Sequence, residues 1–520
     1  MTPSVRATLG ELAAGRFDIL VIGGGITGAG IAREAALRGM AVALVEAKDI
    51  GEGTSSKSSR LIHGGLRYLE QGRFHLVREA LRERQILLRL APHLVRPIPF
   101  LFPTFQGERV PRWKLATGLT LYDLFAVAGG NVRRHRTLGK RAVLAEEPLL
   151  RERGLTGGAI YYDAQCDDAR MTVAVARAAA GLGARISNHM RLTGFIRTVG
   201  GIAGAYVRDE LTGEEGEVRA RCVVNATGPW VDAVRRLEDP QAASLLRPTK
   251  GVHIVVPRSR LGHQHAITFT SPVDGRVMFV LPWGEWSYIG TTDTDTSEPA
   301  DAVSVHESDV VYLLRSVNAL FPGARLSEED VTATWAGLRP LVAADPGRPT
   351  SAISREHRIL RGPGGVITIA GGKLTTWRRM AEELVDGVIR SLGYHFHGRP
   401  VGNSRTDPLP GGDAANVEGM RPAGIELGLS DATVTYLLRN YGSETPAIYR
   451  SCREKSELMH RIHPEHPAIG AQVRFASERE FAITIEDVLE RRLHLHLETK
   501  DRGERARPVI ARLLASDPSV

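Results

Sequence analysis

Phe17-Asp18-Ile19-Leu20-Val21-Ile22-Gly23-Gly24-Gly25-Ile26-Thr27-Gly28 is the stretch that decides the fold. Phe17 to Val21 reads as a short buried strand, and the Ala-rich sequence behind the glycines predicts a helix to about Arg38. Met40 to Glu46 predicts a second strand, so strand, helix and strand follow one another within about 30 residues, the span of a βαβ unit. Gly23, Gly25 and Gly28 have GxGxxG spacing. The first permits a tight turn, the second lets the backbone approach a pyrophosphate, and the third lets helix and strand pack closely. The helix N-terminus adds free N–H groups and a positive dipole for phosphates. Glu46, 18 residues after Gly28, stands where a carboxylate can accept the ribose hydroxyls of an adenosine.

Two later segments decide between dinucleotides. Cys222-Val223-Val224-Asn225-Ala226-Thr227-Gly228 reads as a strand ending in Ala-Thr-Gly. Val366 to Ala370 reads as a strand, followed by Gly371-Gly372-Lys373-Leu374-Thr375-Thr376 and a helix to about Leu392. FAD is too long for one βαβ unit. Flavoproteins that bind it extended use a later Ala-Thr-Gly turn and a final glycine turn beside the isoalloxazine, where a helix N-terminus favours negative charge. The three turns in this order point to FAD rather than NAD.

Outward from these motifs, a Ser- and Gly-rich loop runs from Gly51 to Gly65 and a helix is predicted from Phe74 to Leu90. Pro97 to Leu150 reads as mixed, with Pro-rich turns and one apolar helix near Trp113 to Val127. Arg170 to Gly181 reads as a helix. The runs 184–209, 216–225, 251–256, 276–281 and 286–292 read as strands. Gly398 to Gly412, rich in Gly, Pro, Ser and Asn, reads as a linker before helical patterns that continue to the end.

The 520 residues predict more than one domain. Three cysteines without CxxC spacing give neither a disulfide framework nor a zinc site, and no metal is expected. Thr291-Thr292-Asp293-Thr294-Asp295 lacks a ligand-rich loop and reads as a strand end. The net charge of +8 suits a solvated surface, an anionic membrane or anionic substrates, and no nucleic-acid partner is expected. No secretory signal is expected at the N-terminus, and no apolar run reaches the roughly 18 to 20 residues that span a bilayer.

Gly53-Thr54-Ser55-Ser56-Lys57-Ser58-Ser59-Arg60-Leu61-Ile62-His63-Gly64-Gly65-Leu66-Arg67-Tyr68 resembles the flavin loop of the FAD-dependent, quinone-linked glycerol-3-phosphate dehydrogenases, within the D-amino-acid-oxidase-like superfamily. Tyr162-Asp163-Ala164, Lys250-Gly251-Val252-His253, Ile289-Gly290-Thr291-Thr292-Asp293, Thr334 to Pro340, Ser354-Arg355-Glu356-His357 and the Gly371 turn are similar to further motifs of that family. Val252 departs from it, since a small polar residue is expected before the histidine. The resemblance spans about Phe17 to Leu497.

It implies an α/β fold: a discontinuous, Rossmann-like FAD-binding domain of the glutathione-reductase or D-amino-acid-oxidase type, with an inserted mixed-sheet substrate domain and a C-terminal helical domain. The FAD-binding parts are expected at about 17–90, 160–240 and 340–397, and the substrate parts at about 91–159 and 241–339. A linker at 398–412 and a helical domain at 413–520 would follow. The implied reaction oxidises sn-glycerol 3-phosphate to dihydroxyacetone phosphate, with hydride passing from C2 to flavin N5 and electrons onward to a ubiquinone-type acceptor. His253 and Arg339 are the expected catalytic pair. Arg67, Tyr68, Arg355 and Lys373 are expected at the substrate, because a phosphate dianion suits Arg forks and a Lys. Cofactor contacts are expected from Gly23, Gly25, Gly28, Glu46, Thr54, Ser55, Ser58, His63, Ala226, Gly228, Gly372, Lys373, Leu374 and Thr375. The location implied is peripheral, on the cytoplasmic side of an anionic membrane, and a homodimer is an open form. Trp113, Leu115, Leu119, Tyr122 and Phe125, followed by Arg133, Arg134 and Arg136, are the expected membrane contacts. The alternatives are an oxidase that passes electrons to oxygen, an amine or amino-acid oxidase on the same scaffold, and a non-catalytic flavin-bound protein.

Overall fold

The strand Phe17–Ile22 sits inside an eight-stranded sheet of the computed structural model, which describes residues 6–127, 133–343, 356–393, 399–413 and 416–516. Val42–Val45 pairs with it in parallel on one side and Glu215–Asn225 on the other. Arg185–Ser187 and Ile367–Gly371 extend the parallel set outward. Parallel strands covered on both faces are apolar at nearly every position, as Ile19 to Val21 and Val42 to Val45 are here. The helix Ile26–Leu37 is buried at every position but Thr27, packed between this sheet and the helices Asp168–Gly181 and Trp377–Leu392. Its buried Arg33 is pushed down to about 10 by burial and donates to the Asp407 carbonyl at 2.6 Å. Leu409 is buried and donates its N–H to the Leu90 carbonyl at 2.9 Å. The Gly- and Pro-rich stretch is therefore laid against the fold along 399–413.

The second sheet has ten strands. Thr249–Pro257, Trp286–Gly290, Val277–Trp283 and Ala266–Thr270 form an antiparallel run, with Ala333–Arg339 on its far side. Ala266–Thr270 then pairs in parallel with Val95–Phe105, which makes the sheet mixed. Leu155–Cys166 belongs to this sheet through its last residue, and Leu61–Ile62 pairs with it, so the loop that follows Glu46 passes from one sheet to the other.

Two expectations are corrected. The segment read as Pro-rich turns contains the eleven-residue strand Val95–Phe105. Pro97, Pro99 and Pro103 all fall at odd positions, so their missing donors lie on one side of the strand and the alternate residues keep the ladder with Leu155–Cys166. The helix Arg112–Val127 forms where expected, but Leu115, Leu119 and Tyr122 face the protein core rather than a membrane. The Tyr122 hydroxyl donates to the buried Asp163 carboxylate at 2.7 Å. Trp113 and Leu124 stand outside instead, 72% and 64% exposed.

Beyond Gly371 the regular elements of the described residues are all helices, beside one isolated bridge between Arg461 and Ile469, with two apolar cores of their own around Leu437 and Leu493. Buried ion pairs tie them to the helix Asp168–Gly181 and to the loop after Val42–Val45: Arg170 with Glu480 at 2.7 Å, and Asp49 with Arg492 at 2.7 Å.

Gly23 has φ +108°, and a Cβ on Gly28 would lie 1.8 Å from the Gly23 carbonyl oxygen, which is backbone and cannot yield. Gly28→Ala is expected to lose most of the flavin that the wild type carries and to melt at a lower temperature, since overpacking costs about 1–3 kcal/mol or more. Gly181→Ala, where a Cβ meets no atom within 4 Å, is expected to keep both. Flavin absorbance per protein and thermal unfolding compare the two.

Candidate active site

The carboxyl ends of the parallel strands open into a cavity of about 1080 Å³ that continues beneath the second sheet. At one end the Gly23 turn and Glu46 line it. Glu46 accepts the Gly24 N–H at 2.6 Å and the Lys48 N–H at 2.9 Å, one on each carboxylate oxygen, which leaves a lone pair on each. Ala226 and Gly228 line the middle. Gly372, Lys373, Leu374 and Thr375 line the far part beside His63, and the Thr375 hydroxyl accepts the His63 N–H at 3.2 Å. The glycines leave the space that an extended ligand needs. Gly228, at φ +56°, has no atom within 4 Å of where a Cβ would be.

The loop hydroxyls are partly engaged within the protein. Thr54 donates to the Leu338 carbonyl at 2.6 Å, and Ser58 donates to Asp168 at 2.7 Å. Ser55 accepts the Ile26 N–H at 2.9 Å, holding the loop over the start of the first helix. All three still line the cavity.

The second sheet supplies the polar cluster opposite. His253 on Thr249–Pro257 faces Gly290 across one ladder and Trp335 across the other. Its ring stacks on Trp335 with centroids 4.6 Å apart and planes 8° apart. Nε2 meets the Ser59 hydroxyl at 2.9 Å, while Nδ1 is sealed from solvent without a hydrogen-bond partner. Burial, then the Arg339 and Arg60 cations, push this imidazole down to about 3, so it is neutral at ordinary pH. Arg339 crosses beside Gly251 and donates to the Thr291 hydroxyl at 2.9 Å and the Thr292 carbonyl at 3.1 Å, with Asp293 at 3.2 Å. The Lys373 ammonium lies 3.9 Å from the centroid of the Tyr68 ring.

One cavity thus gathers the described candidates, apart from Gly28, which works by packing behind it. Arg67 lies on the short helix Leu66–Glu70, its side chain outside the described residues, and Arg355 lies outside them altogether. Sequence reasoning gave no role to Ser59, Trp335 or Arg60. The signal available was their place in the flavin loop and the Thr334 motif, but their partners come from distant segments. Elsewhere among the described residues, Asp49, His189 and Asp487 lie close enough to share a cation. Arg491, at 2.5 Å from Asp49 and 3.0 Å from Asp487, already brings positive charge there.

Residues 18–382 match the FAD dependent oxidoreductase family, and residues 403–518 match the C-terminal domain of alpha-glycerophosphate oxidase. The chain is 40% identical over 443 residues to the aerobic glycerol-3-phosphate dehydrogenase of Staphylococcus haemolyticus, covering 83% of this chain and 79% of that one. It is 39% identical over 523 residues to glycerol-3-phosphate dehydrogenase 2 of Mycobacterium tuberculosis, covering 99% and 87%. The crystal structure of the glycerol-3-phosphate dehydrogenase from Bacillus halodurans complexed with FAD superposes with a TM-score of 0.80 at 31% identity, covering 98% and 93%. The cofactor is FAD, and the Gly23, Ala226 and Gly372 turns along one cavity fit it.

His253 makes stability depend on pH. An unfolded histidine takes up its proton near 6.5 and the folded one only near 3, so between these values unfolding binds one extra proton and stability falls as pH falls. His253→Asn is expected to flatten that dependence by about 1.4 kcal/mol per pH unit. His93, also pushed to about 3 by burial and by the Arg170 and Arg96 cations, contributes equally to both proteins. Urea unfolding of both at pH 6, 5 and 4 measures the difference in slope.

Proposed function

The chain belongs to the FAD-dependent glycerol-3-phosphate dehydrogenase family, and from that premise we propose that it oxidises sn-glycerol 3-phosphate at C2 to dihydroxyacetone phosphate. The observation that carries the reading is a single cavity with glycine turns and Lys373 along one wall and His253 and Arg339 on another. Bound FAD supplies the acceptor for the C2 hydride. The neutral His253 takes up the C2 hydroxyl proton at Nε2 through Ser59, whose hydroxyl lines the cavity, gives its own proton to Nε2 and receives the substrate's. Arg339, fixed by Asp293 and the Thr291 hydroxyl, steadies negative charge on that oxygen as the proton leaves. Lys373, Arg67 and Arg355 bind the phosphate, and Tyr68 backs Lys373 through its ring face. Glu46 and the loop residues Thr54, Ser55, Ser58 and His63 hold the cofactor. This cationic set suits phosphate better than the carboxylate of an amino-acid substrate.

Anaerobic addition of sn-glycerol 3-phosphate is expected to bleach the flavin. In flavin-loaded protein, absence of bleaching overturns the reading. Arg67→Ala and Arg355→Ala are each expected to lower kcat/KM for this substrate by roughly 30-fold to a few thousand-fold, the loss for one partner of a desolvated charge pair. Their flavin content and their weak activity on glycerol should stay unchanged. Equal losses on both substrates would place these arginines elsewhere. Reoxidation by a soluble quinone, compared with air, separates the dehydrogenase from an oxidase.

We further propose that electrons pass to a ubiquinone-type acceptor at an anionic membrane surface, which the protein touches from the cytoplasmic side. No helix among the described residues is long and apolar enough to cross a membrane. The outer face of Arg112–Val127 carries Trp113 and Leu124, with Phe74 nearby, and Arg133, Arg134 and Arg136 stand exposed beyond it. Trp113 and Phe74 also line the cavity, which joins this apolar face to the flavin side. Flotation on anionic liposomes at low salt is expected for the wild type. Trp113→Ala with Leu124→Ala should weaken it, as should replacing the three arginines, the latter mainly at low salt, where charge is unscreened. A wild type that stays with the soluble fraction while reducing quinone refutes the membrane claim.

A further inference from the structure

Among the described residues His253 has one hydrogen-bond partner, the Ser59 hydroxyl at 2.9 Å. What holds Ser59 therefore aims the imidazole. Ser59 lies between two anchored residues. Before it, Ser58 gives both its N–H and its hydroxyl to Asp168, at 3.0 and 2.7 Å. After it, Arg60 is buried with a left-handed backbone, φ 55°, which a residue with a side chain keeps only when its surroundings over-determine it.

Those surroundings join the second sheet and Asp168 to the C-terminal helices. The Arg60 guanidinium lies over Trp283 at 4.6 Å and Tyr288 at 5.1 Å, with Asp168 at 3.5 Å. Its Nη2 packs 3.4 Å from Nδ1 of His494, a nitrogen that gives its hydrogen to the Glu490 carbonyl at 2.9 Å. His494 is itself left-handed, φ 55°, and its Nε2 is gripped by Asp167 at 2.8 Å. Trp283, one wall of the cage, gives its indole N–H to Glu498 at 2.8 Å and is stacked by Arg439 at 4.7 Å on its ring. Three residues beyond position 430 thus fix the cage around Arg60, and none of them lines the cavity.

We propose that His494 is a positioning residue for the reaction: by gripping Asp167 and packing against Arg60 it fixes the neighbouring Asp168, which holds Ser58 and Arg60 on either side of Ser59, and so keeps the Ser59 hydroxyl on Nε2 of His253. This rests on His253 accepting the substrate proton. The contact sequence is His494, Arg60, Ser59, His253, with Asp167 and Asp168 as its anionic supports. A clamp that served stability alone would be felt in flavin content and melting temperature. A positioning role is felt in the rate of flavin reduction at saturating substrate.

The test uses full-length, FAD-loaded His494→Ala and Ser59→Ala and their double variant, with sn-glycerol 3-phosphate in anaerobic stopped flow. Each single variant is expected to bleach about tenfold more slowly at saturation, with half-saturation within about twofold of wild type. The double variant should be no more than about twofold slower than the slower single one, because both changes break one sequence of contacts. If His494→Ala does not load FAD, His494→Gln, which retains volume and a donor toward Asp167, takes its place under the same criteria. Multiplying losses in the double variant, or a loss confined to half-saturation or flavin content, overturns the proposal. A wild type that fails to bleach refutes the proposed function instead, whereas a wild type that bleaches beside an unimpaired His494 variant refutes this inference alone.

Discussion

The parallel register of three strands is the constraint on which the site depends. Ile22 lies beside Asn225, and Asn225 beside Thr368, so segments roughly 200 and 140 residues apart end level with one another. Each ends in a turn at the same cavity: Gly23 to Gly28, Ala226 to Gly228, and Gly371 to Lys373. A slip of one residue in either pairing would turn the side chains of that strand to the opposite face and bring its turn out of line. The apolar positions of Phe17–Ile22 and Glu215–Asn225, buried from both sides, make such a slip costly.

The glycine turns were legible in the sequence because each is a local device, written in adjacent residues whose backbone demands only glycine meets. The apolar strands were legible for the same reason. The strand Val95–Phe105 was not, because three prolines argue against a ladder unless their parity is noticed. Arg112–Val127 was placed correctly as a helix and turned the wrong way. It is apolar on two faces, and only the tertiary partner Asp163 reveals that Tyr122 points inward. At the site, residue types with strong chemistry stood out: His253, Arg339 and Lys373. Ser59 and Arg60 did not, since their significance lies in contacts with positions 194 and 434 residues away. The hydroxyls of Thr54 and Ser58 drew attention as cofactor donors, while part of their bonding is spent on Leu338 and Asp168.

Charge burial unites the two halves. Asp49 is wholly buried, yet it accepts from both Arg491 and Arg492. Asp487 would be pushed up by burial, but His189 and the Arg492 and Arg491 cations hold it well below the usual carboxylate range. Such groups contribute little net stability beside an apolar packing of the same volume, but removal of any one leaves an uncompensated charge inside. They act as a fit requirement: the helical half docks in the one orientation that neutralises Asp49, Asp167 and Glu480 together.

The separation of Asp49 from Arg492 along the chain, 443 residues, carries a consequence for biosynthesis. At about 5–20 residues per second, the ribosome delivers the arginine roughly 20 to 90 seconds after the aspartate. Through that interval Asp49 keeps its water, because entering the interior without a counter-charge costs several kcal/mol. The segment that follows it, which includes Ser59 and Arg60, reaches its final packing only after Arg491 and Arg492 have been made. Docking of that segment is thereby timed by the helical part that carries Arg491 and Arg492, and a nascent chain stalled before residue 491 lacks the counter-charges that let Asp49 enter the interior.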